Sequence, residues 1–238
     1  MSAQDRVVVV SGATGGLGRV ATQRFAAAGA QVALLGRTKD KLDALVDELK
    51  LDKQRAFTHT VDLDEADSVE EAAAAILKQF GRIEVLLNLV GGWIGGKPVV
   101  DTDIDDINSM LEQHVRASYY MMKSFVVPML KGKWGRVLAV SSPSGSRPPG
   151  NNAPYAVGKA GMEALMLSLA NEVKGSGVTA NLVLVNTIDT KHERDNTPSE
   201  KNAEWTTPEE ISATLLHLCS QEAGTINGAR IPLFGSPL

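Results

Sequence analysis

Near its start the chain carries a β-branched apolar run, Arg6 to Val10, followed by Ser11-Gly12-Ala13-Thr14-Gly15-Gly16-Leu17-Gly18 and then a helical stretch, Val20 to Ala28. Strand, glycine-rich turn and helix in that order constrain the fold more than any other feature of the sequence. Glycines let a backbone approach a pyrophosphate closely, and the helix start behind them offers free N–H groups and a positive dipole end. Gly29 is placed to end the helix, and Gln31 to Leu35 supplies a second buried strand, which completes a βαβ unit. Two parallel strands joined by a helix require a sheet whose two faces are both covered.

The rest of the chain repeats this alternation. Periodicity predicts helices over Lys39–Lys50 and Ser68–Phe80, strands over Arg55–Thr60 and Val85–Leu89, and a long methionine-rich helix over Asp105–Leu130 that ends near Pro128. A fifth strand over Gly135–Ser141, a helix over Pro154–Lys174 and a sixth strand over Thr179–Val185 follow. Thr207-Pro208-Glu209-Glu210 carries a capping-box signature for a further helix, and Arg230–Leu233 reads as a short last strand. The expected fold class is α/β, a single doubly wound parallel sheet. At 238 residues and 43% hydrophobic, residues 1–238 form one domain in this reading. The polar stretch 186–206 fits neither period and is expected to be a mobile loop covering the substrate.

Charge and cysteine usage narrow the partners. The formal net charge is −4 with acids and bases interspersed, which offers no basic stripe for nucleic acid and no polybasic membrane anchor. The partner is therefore expected to be a small molecule. One cysteine, Cys219, excludes an intrachain disulfide and reads as a core thiol. His59, His192 and His217 have no neighbours at ligand spacing, so no metal is expected. The start shows no charged region followed by a long apolar run, and no segment is apolar for long enough to span a bilayer, so a cytoplasmic location is expected.

Tyr155 and Lys159 stand one helical turn apart, thirteen residues after Ser142. An i, i+4 pair shares a helix face, so a phenol and an ammonium would meet at one site. A phenol has a reference pKa of about 10, and a nearby cation favours its ionised form, so the lysine is expected to make the tyrosine a usable acid.

The spacing S-G-x-x-x-G-x-G at Ser11–Gly18 resembles that of the short-chain dehydrogenase/reductase family, with Ser11 in place of a threonine. Asp62 resembles the family's adenine-contacting aspartate, Asn88-Leu89-Val90-Gly91 its N-N-A-G turn, and Ser142, Tyr155 and Lys159 its catalytic serine, tyrosine and lysine. Three departures stand out: the apolar Leu89 and Val90, Gly158 in place of the usual serine, and His114 where the family has a fourth catalytic residue, an asparagine. Val185-Asn186 also replaces the family's Pro-Gly before Thr190.

The resemblance implies a Rossmann-type dinucleotide site. In the glycine turn its contacts would be Ser11, Gly12, Thr14, Gly16, Leu17 and Gly18, and beyond it Arg37, Asp62 and Leu63. Asn88, Val90 and Gly91 would line the nicotinamide side, joined by Tyr155, Lys159, Ile188 and Thr190. Tyr155 would donate the proton to a developing oxyanion, Ser142 would hydrogen-bond the same oxygen, and Lys159 would also hold the nicotinamide ribose. His114 would link Lys159 to solvent through a water, which gives activity an acidic limb near its reference pKa of about 6.5; the alternative is a histidine packed by its neighbours. In the family the Asp105–Leu130 helix pairs across subunits, which implies a homotetramer or homodimer.

NAD-preferring sites place an acid about 20 residues after the glycine turn. Here Gly36-Arg37 occupies that corner, and a guanidinium can grip a 2′-phosphate, so NADP(H) is favoured, with NAD(H) the alternative. The expected activity is reduction of a small carbonyl, or the reverse oxidation. A narrower likeness, at Gly91–Gly96, Ile188–Thr190 with Arg194 and Glu204–Glu209, is to the dihydropteridine reductases of the same family. Trp93 and Trp205 would then stack on a flat pterin or quinone. The rival from another class is a dinucleotide-binding sensor or scaffold that does no chemistry.

Overall fold

The computed structural model describes residues 3–234. Seven parallel strands form one sheet in the order β3-β2-β1-β4-β5-β6-β7. They are β1 (Val7–Ser11), β2 (Gln31–Gly36), β3 (Ala56–Thr60), β4 (Val85–Asn88), β5 (Gly135–Ser141), β6 (Val178–Leu184) and β7 (Arg230–Pro232). The helices are α1 (Gly16–Ala27), α2 (Lys39–Glu48), α3 (Ala66–Phe80), α4 (Ile104–Leu111), α5 (Ala117–Lys131), α6 (Ala153–Glu172), the four-residue α7 (Glu193–Asn196) and α8 (Pro208–Leu218). The expected doubly wound parallel sheet is the observed fold.

The period of two along β1 sorts its valines to opposite faces. Val7 and Val9 join a core with Val69, Ile76, Phe125, Met129, Met162 and Met166 from α3, α5 and α6. Val8 and Val10 join the other core with Phe25, Leu42, Leu45, Ile211 and Leu215 from α1, α2 and α8. Phe25, Leu42 and Ile76 are wholly buried, each contributing about 1.5–3 kcal/mol relative to exposure.

Strand order reverses between β1 and β4, and their C-terminal ends splay the following segments apart into a crevice, the usual ligand position in such sheets. Register places Ser11 beside Asn88 at the lip of that crevice.

Three local features differ from the sequence reading or add to it. Helix α1 begins at Gly16 rather than Val20, so the second half of the glycine turn is the first helical turn. The long helix over 105–130 contains a π turn at Glu112–Arg116, and it runs past Pro128 to Lys131 because the proline sits in the last turn, where few backbone bonds are lost. The segment 186–206 is tied down by side chains. The buried Asp189 carboxylate accepts from the N–H groups of Glu193 and Arg194, each at 2.8 Å, and so starts α7. Arg194 forks onto both Glu210 oxygens at 2.8 and 3.1 Å, and Asn202 donates to the carbonyls of Glu193 and Thr197. After this segment the Thr207–Glu210 capping box is formed as read, and Glu210 serves Arg194 as well.

Candidate active site

Two hollows meet at the switch point. One, of about 490 Å³, runs past Gly12, Thr14, Arg37, Asp62, Leu63 and Val90. The other, of about 550 Å³, contains Ser142, Tyr155 and Lys159 with Trp93, Asn152 and Leu17. Residues Leu89–Gly92 line both and form the wall between them.

The first hollow has the form of a phosphate cradle. Gly12 takes φ +70°, and a Cβ there would press on Val90 and the Leu89 carbonyl. A Cβ at Gly18 would run into the Gly12 carbonyl and lie 2.8 Å from Ala13 Cα, so only glycine lets the turn close onto its own helix. Gly15, at the N-cap of α1, provides no side-chain hydrogen bond, which leaves the first-turn N–H groups free for an anion. The residues present thus fit a dinucleotide: backbone donors at α1, the exposed Arg37 at the end of β2, and the exposed Asp62 after β3.

Two residues expected on the cofactor are used differently. Ser11 is fully buried; its hydroxyl donates to Leu87 O at 3.1 Å and accepts from Leu89 N at 3.2 Å, tying β1 to β4. Asn88 donates to Ser118 Oγ at 2.7 Å, which fastens β4 to α5. Neither lines a hollow. Ile188 lines the second hollow and pairs with Thr206, while exposed Thr190 lies against the start of α1, where a Cβ on Gly16 would be 2.6 Å from its methyl. Trp93 stands at the mouth, 62% exposed, whereas Trp205 is outside the lining, its carbonyl held by Arg194 at 2.7 Å.

Ser142 leaves the end of β5, and Tyr155 and Lys159 sit on the first turns of α6, so one strand end and one helix face converge. The lysine ammonium is buried, donates to Val140 O at 2.9 Å and lies 5.6 Å from the Tyr155 ring centroid. Burial lowers its pKa to about 8. The tyrosine departs from expectation: burial raises its pKa, and only the Ser142 hydrogen bond pulls the other way. Desolvation is the larger influence on the phenol, while the Lys159 ammonium is held by the Val140 carbonyl.

His114 lies in the π turn, 1% exposed. Its Nε2 is 3.0 Å from Gly92 O, so that nitrogen must carry the proton and donate, since a carbonyl only accepts. Nδ1 has no partner among the described residues. The ring meets Tyr155 edge-on with centroids 5.7 Å apart. Burial, then the Lys159 charge, lowers the pKa to about 4, against the hydrogen bond to Gly92. An acidic limb near 6.5 is therefore not expected from this residue. Gly158 explains itself beside it: a Cβ there would lie 2.9 Å from His114 Cδ2 and 2.7 Å from Met110 O.

Asn152 and Ser144 were not singled out in the sequence. They line the cavity between Trp93 and Ser142, and no spacing rule marks them, because their partners come from the β4–α4 and β5–α6 connections. Among the described residues no group of three or more His, Cys, Asp or Glu could hold a metal. Cys219 is a buried thiol pushed up to about 12 by burial. No helix among the described residues is long and apolar enough to cross a membrane.

Comparison with known proteins agrees with this geometry. Residues 6–201 match the family described as short chain dehydrogenase. A short chain dehydrogenase of Pseudocercospora fijiensis is 33% identical over 177 residues, covering 74% of this chain and 57% of that protein. The meso-2,3-butanediol dehydrogenase of Serratia marcescens is 30% identical over 99% of this chain and 95% of its own. A crystal structure of a short chain dehydrogenase from Bacillus anthracis superposes with a TM-score of 0.87 at 26% identity, covering 97% of this chain and 95% of that one. The narrower likeness to dihydropteridine reductases finds no support in these comparisons. The chain belongs to the short chain dehydrogenase family, a family of oxidoreductases.

Proposed function

We propose that this chain is an NADP(H)-dependent reductase of small carbonyl compounds, also able to run the reverse oxidation. The observation that carries the reading is the convergence of Ser142, Tyr155 and Lys159 on one cavity that shares its Leu89–Gly92 wall with the glycine cradle. A nicotinamide dinucleotide, when bound, supplies the hydride. The chain's own residues handle the proton: the Tyr155 phenol donates it to the substrate oxygen as negative charge develops there, and Ser142 donates a hydrogen bond to the same oxygen. Lys159, cationic below its pKa of about 8, stabilises the phenolate left behind. The buried His114 holds the Gly92 carbonyl and the edge of the tyrosine ring.

Preference for NADP(H) over NAD(H) rests on Arg37, exposed in the cradle hollow where a 2′-phosphate could be forked. The segment 186–206 covers the substrate in this reading, as a pinned flap rather than a free loop. A homodimer or homotetramer and a cytoplasmic location belong to the same reading and rest on family membership. A pterin or quinone is the second substrate reading, favoured by the exposed Trp93 indole at the mouth and weakened by the position of Trp205 outside the lining. A silent sensor is disfavoured by the intact Ser142, Tyr155 and Lys159 set.

The test is oxidation of NADPH and NADH against aliphatic and aryl ketones, a vicinal diketone, a small quinone and a quinonoid dihydropterin. Turnover of carbonyls with NADPH is expected, reduced about 10²- to 10⁴-fold in Tyr155→Phe with NADPH affinity retained. A Tyr155→Phe enzyme as fast as wild type would overturn the assignment of the proton donor.

A further inference from the structure

The loop Gly91-Gly92-Trp93-Ile94-Gly95-Gly96 is docked onto the two residues that precede α6. Gly96 N–H donates to Asn151 O at 2.6 Å, and Trp93 Nε1 donates to Asn152 Oδ1 at 2.9 Å. An indole N–H can only donate, so the amide oxygen of Asn152 must face Trp93 and its nitrogen must face the other way. That nitrogen donates to Ser144 Oγ at 3.1 Å. Ser144 in turn lies against the serine of the active site: its N–H donates to Ser142 Oγ at 3.3 Å, and the two hydroxyl oxygens are 3.3 Å apart. Asn152 is 7% exposed and Ser142 5%, so water competes little for these groups. Gly95 is small for the same reason, since a Cβ there would lie 2.7 Å from the Trp93 ring and 3.0 Å from Asn152 Oδ1.

We propose that Asn152 is a positioning residue that directs the hydroxyl of Ser142 toward the substrate oxygen, acting through Ser144. This rests on the carbonyl-reductase reading above. The direction follows from counting donors. Trp93 fixes the amide, and the amide N–H occupies one lone pair of Ser144. Before substrate binds, the second lone pair of Ser144 accepts from the Ser142 hydroxyl at 3.3 Å; when a substrate oxygen takes the Ser142 hydrogen, the Ser144 hydroxyl turns to donate to Ser142. With the Ser144 N–H and the turned Ser144 hydroxyl both pointed at it, the Ser142 oxygen is filled as an acceptor, and its hydrogen is available to the substrate oxygen that lies beside the Tyr155 phenol, its other partner before substrate binds. A bound carbonyl needs that donor as it takes on negative charge. The same chain gives the rim a say in catalysis, because the indole at the mouth sets the amide that sets the serine.

The discriminating variant is Asn152→Asp, which keeps shape and keeps an acceptor for Trp93 but removes the donor to Ser144. A carboxylate there accepts a hydrogen bond from the Ser144 hydroxyl, and the Ser144 oxygen is left as an acceptor for Ser142, so the Ser142 hydroxyl is turned away from the substrate. Expected is a fall in kcat of about 10- to 100-fold, short of deleting an oxyanion donor outright, with NADPH affinity and thermal midpoint unchanged. The deficit relative to wild type should shrink as pH is lowered from about 8 to about 5, because a protonated carboxyl, its pKa raised by burial, donates again. Ser144→Ala should lower kcat about 10-fold with no such recovery, and the double variant should be no slower than the slower single one, since both act through one chain. Ser144→Ala also decides the matter should Asn152→Asp fail to fold. A kcat within two-fold of wild type in the soluble variants, a deficit constant with pH, or effects that multiply in the double variant would overturn the inference while leaving the carbonyl reading intact. A wild type inert toward every ketone with either cofactor would overturn that reading and the inference with it.

Discussion

The two hollows that meet at Leu89–Gly92 are built by different means. The cradle is made of backbone: Gly12 and Gly18 shape the turn, the uncapped start of α1 supplies donors, and Ser11 and Asn88 use their side chains to hold strands rather than ligand. The catalytic mouth is made of side chains that reach each other across long stretches of sequence, Trp93 to Asn152, Asn152 to Ser144, Arg194 to Glu210. A backbone site tolerates change in nearly every side chain but almost none in its glycines. A site made of side-chain chains yields to single isosteric swaps, and that is where relatives sharing one fold can diverge in substrate.

The sharpest way to break this contrast is Gly18→Ala. The added Cβ meets the backbone of Gly12 and Ala13, which has nowhere to move. We expect a loss of about 3 kcal/mol or more in stability and of NADPH binding beyond about 100-fold, read by chemical denaturation and by cofactor fluorescence. Binding within a few-fold of wild type would show that the cradle is softer than the geometry says.

His114→Gln probes the wall between the hollows. Burial lowers the histidine pKa from 6.5 to about 4, so between those values the unfolded chain binds a proton that the folded chain refuses. Wild-type stability should therefore hold above about pH 6.5, fall as pH drops through that window and level off below about 4. The loss is on the order of 3 kcal/mol, and glutamine, which keeps a donor for Gly92 and has no such titration, should lack it. Denaturant midpoints measured across the window decide the point; parallel curves for the two proteins would mean that His114 is protonated in the fold.

Arg37→Asp tests whether any side chain matters in the cradle. If Arg37 grips a 2′-phosphate, replacing its guanidinium by an acceptor for ribose hydroxyls should shift the NADPH/NADH ratio of kcat/KM by about 10- to 100-fold toward NADH. A wild type that already prefers NADH would make Arg37 a surface residue.

The smallest expected effect is Arg194→Met. It removes the fork onto Glu210 and the bond to the Trp205 carbonyl at a partly exposed site, for about 1 kcal/mol of stability. Its signature should be local: faster proteolysis within 197–204 and a raised KM for substrate, with cofactor affinity unmoved. A raised Kd for NADPH instead would mean that the flap serves the cradle and not the mouth.

The glycine turn, the strand alternation and the Tyr155–Lys159 face were legible in the sequence because each is a local property. Strand periods, glycine positions and i, i+4 spacing act within a few residues, and the parallel sheet follows once strands alternate with helices. The ties within 186–206 were not legible, because they come from Asp189, Arg194 and Asn202 bonding to groups on other turns and on α8. Local composition carries no trace of such bonds. The pKa directions were hidden likewise: spacing put Lys159 beside Tyr155, but burial decides that the phenol is raised and that His114 is held neutral.

By itself the sequence determined the sheet, the glycine turn and the pairing of Tyr155 with Lys159, since backbone geometry and helical spacing are written in short-range order. Only the tertiary structure decided that His114 sits against Gly158 and Gly92, that Ser11 and Asn88 are ties, and that the Trp93 indole at the mouth is joined through the Asn152 amide and Ser144 to Ser142. Those choices depend on which groups lose their water together, and desolvation is a property of the packed molecule, not of any segment of the chain.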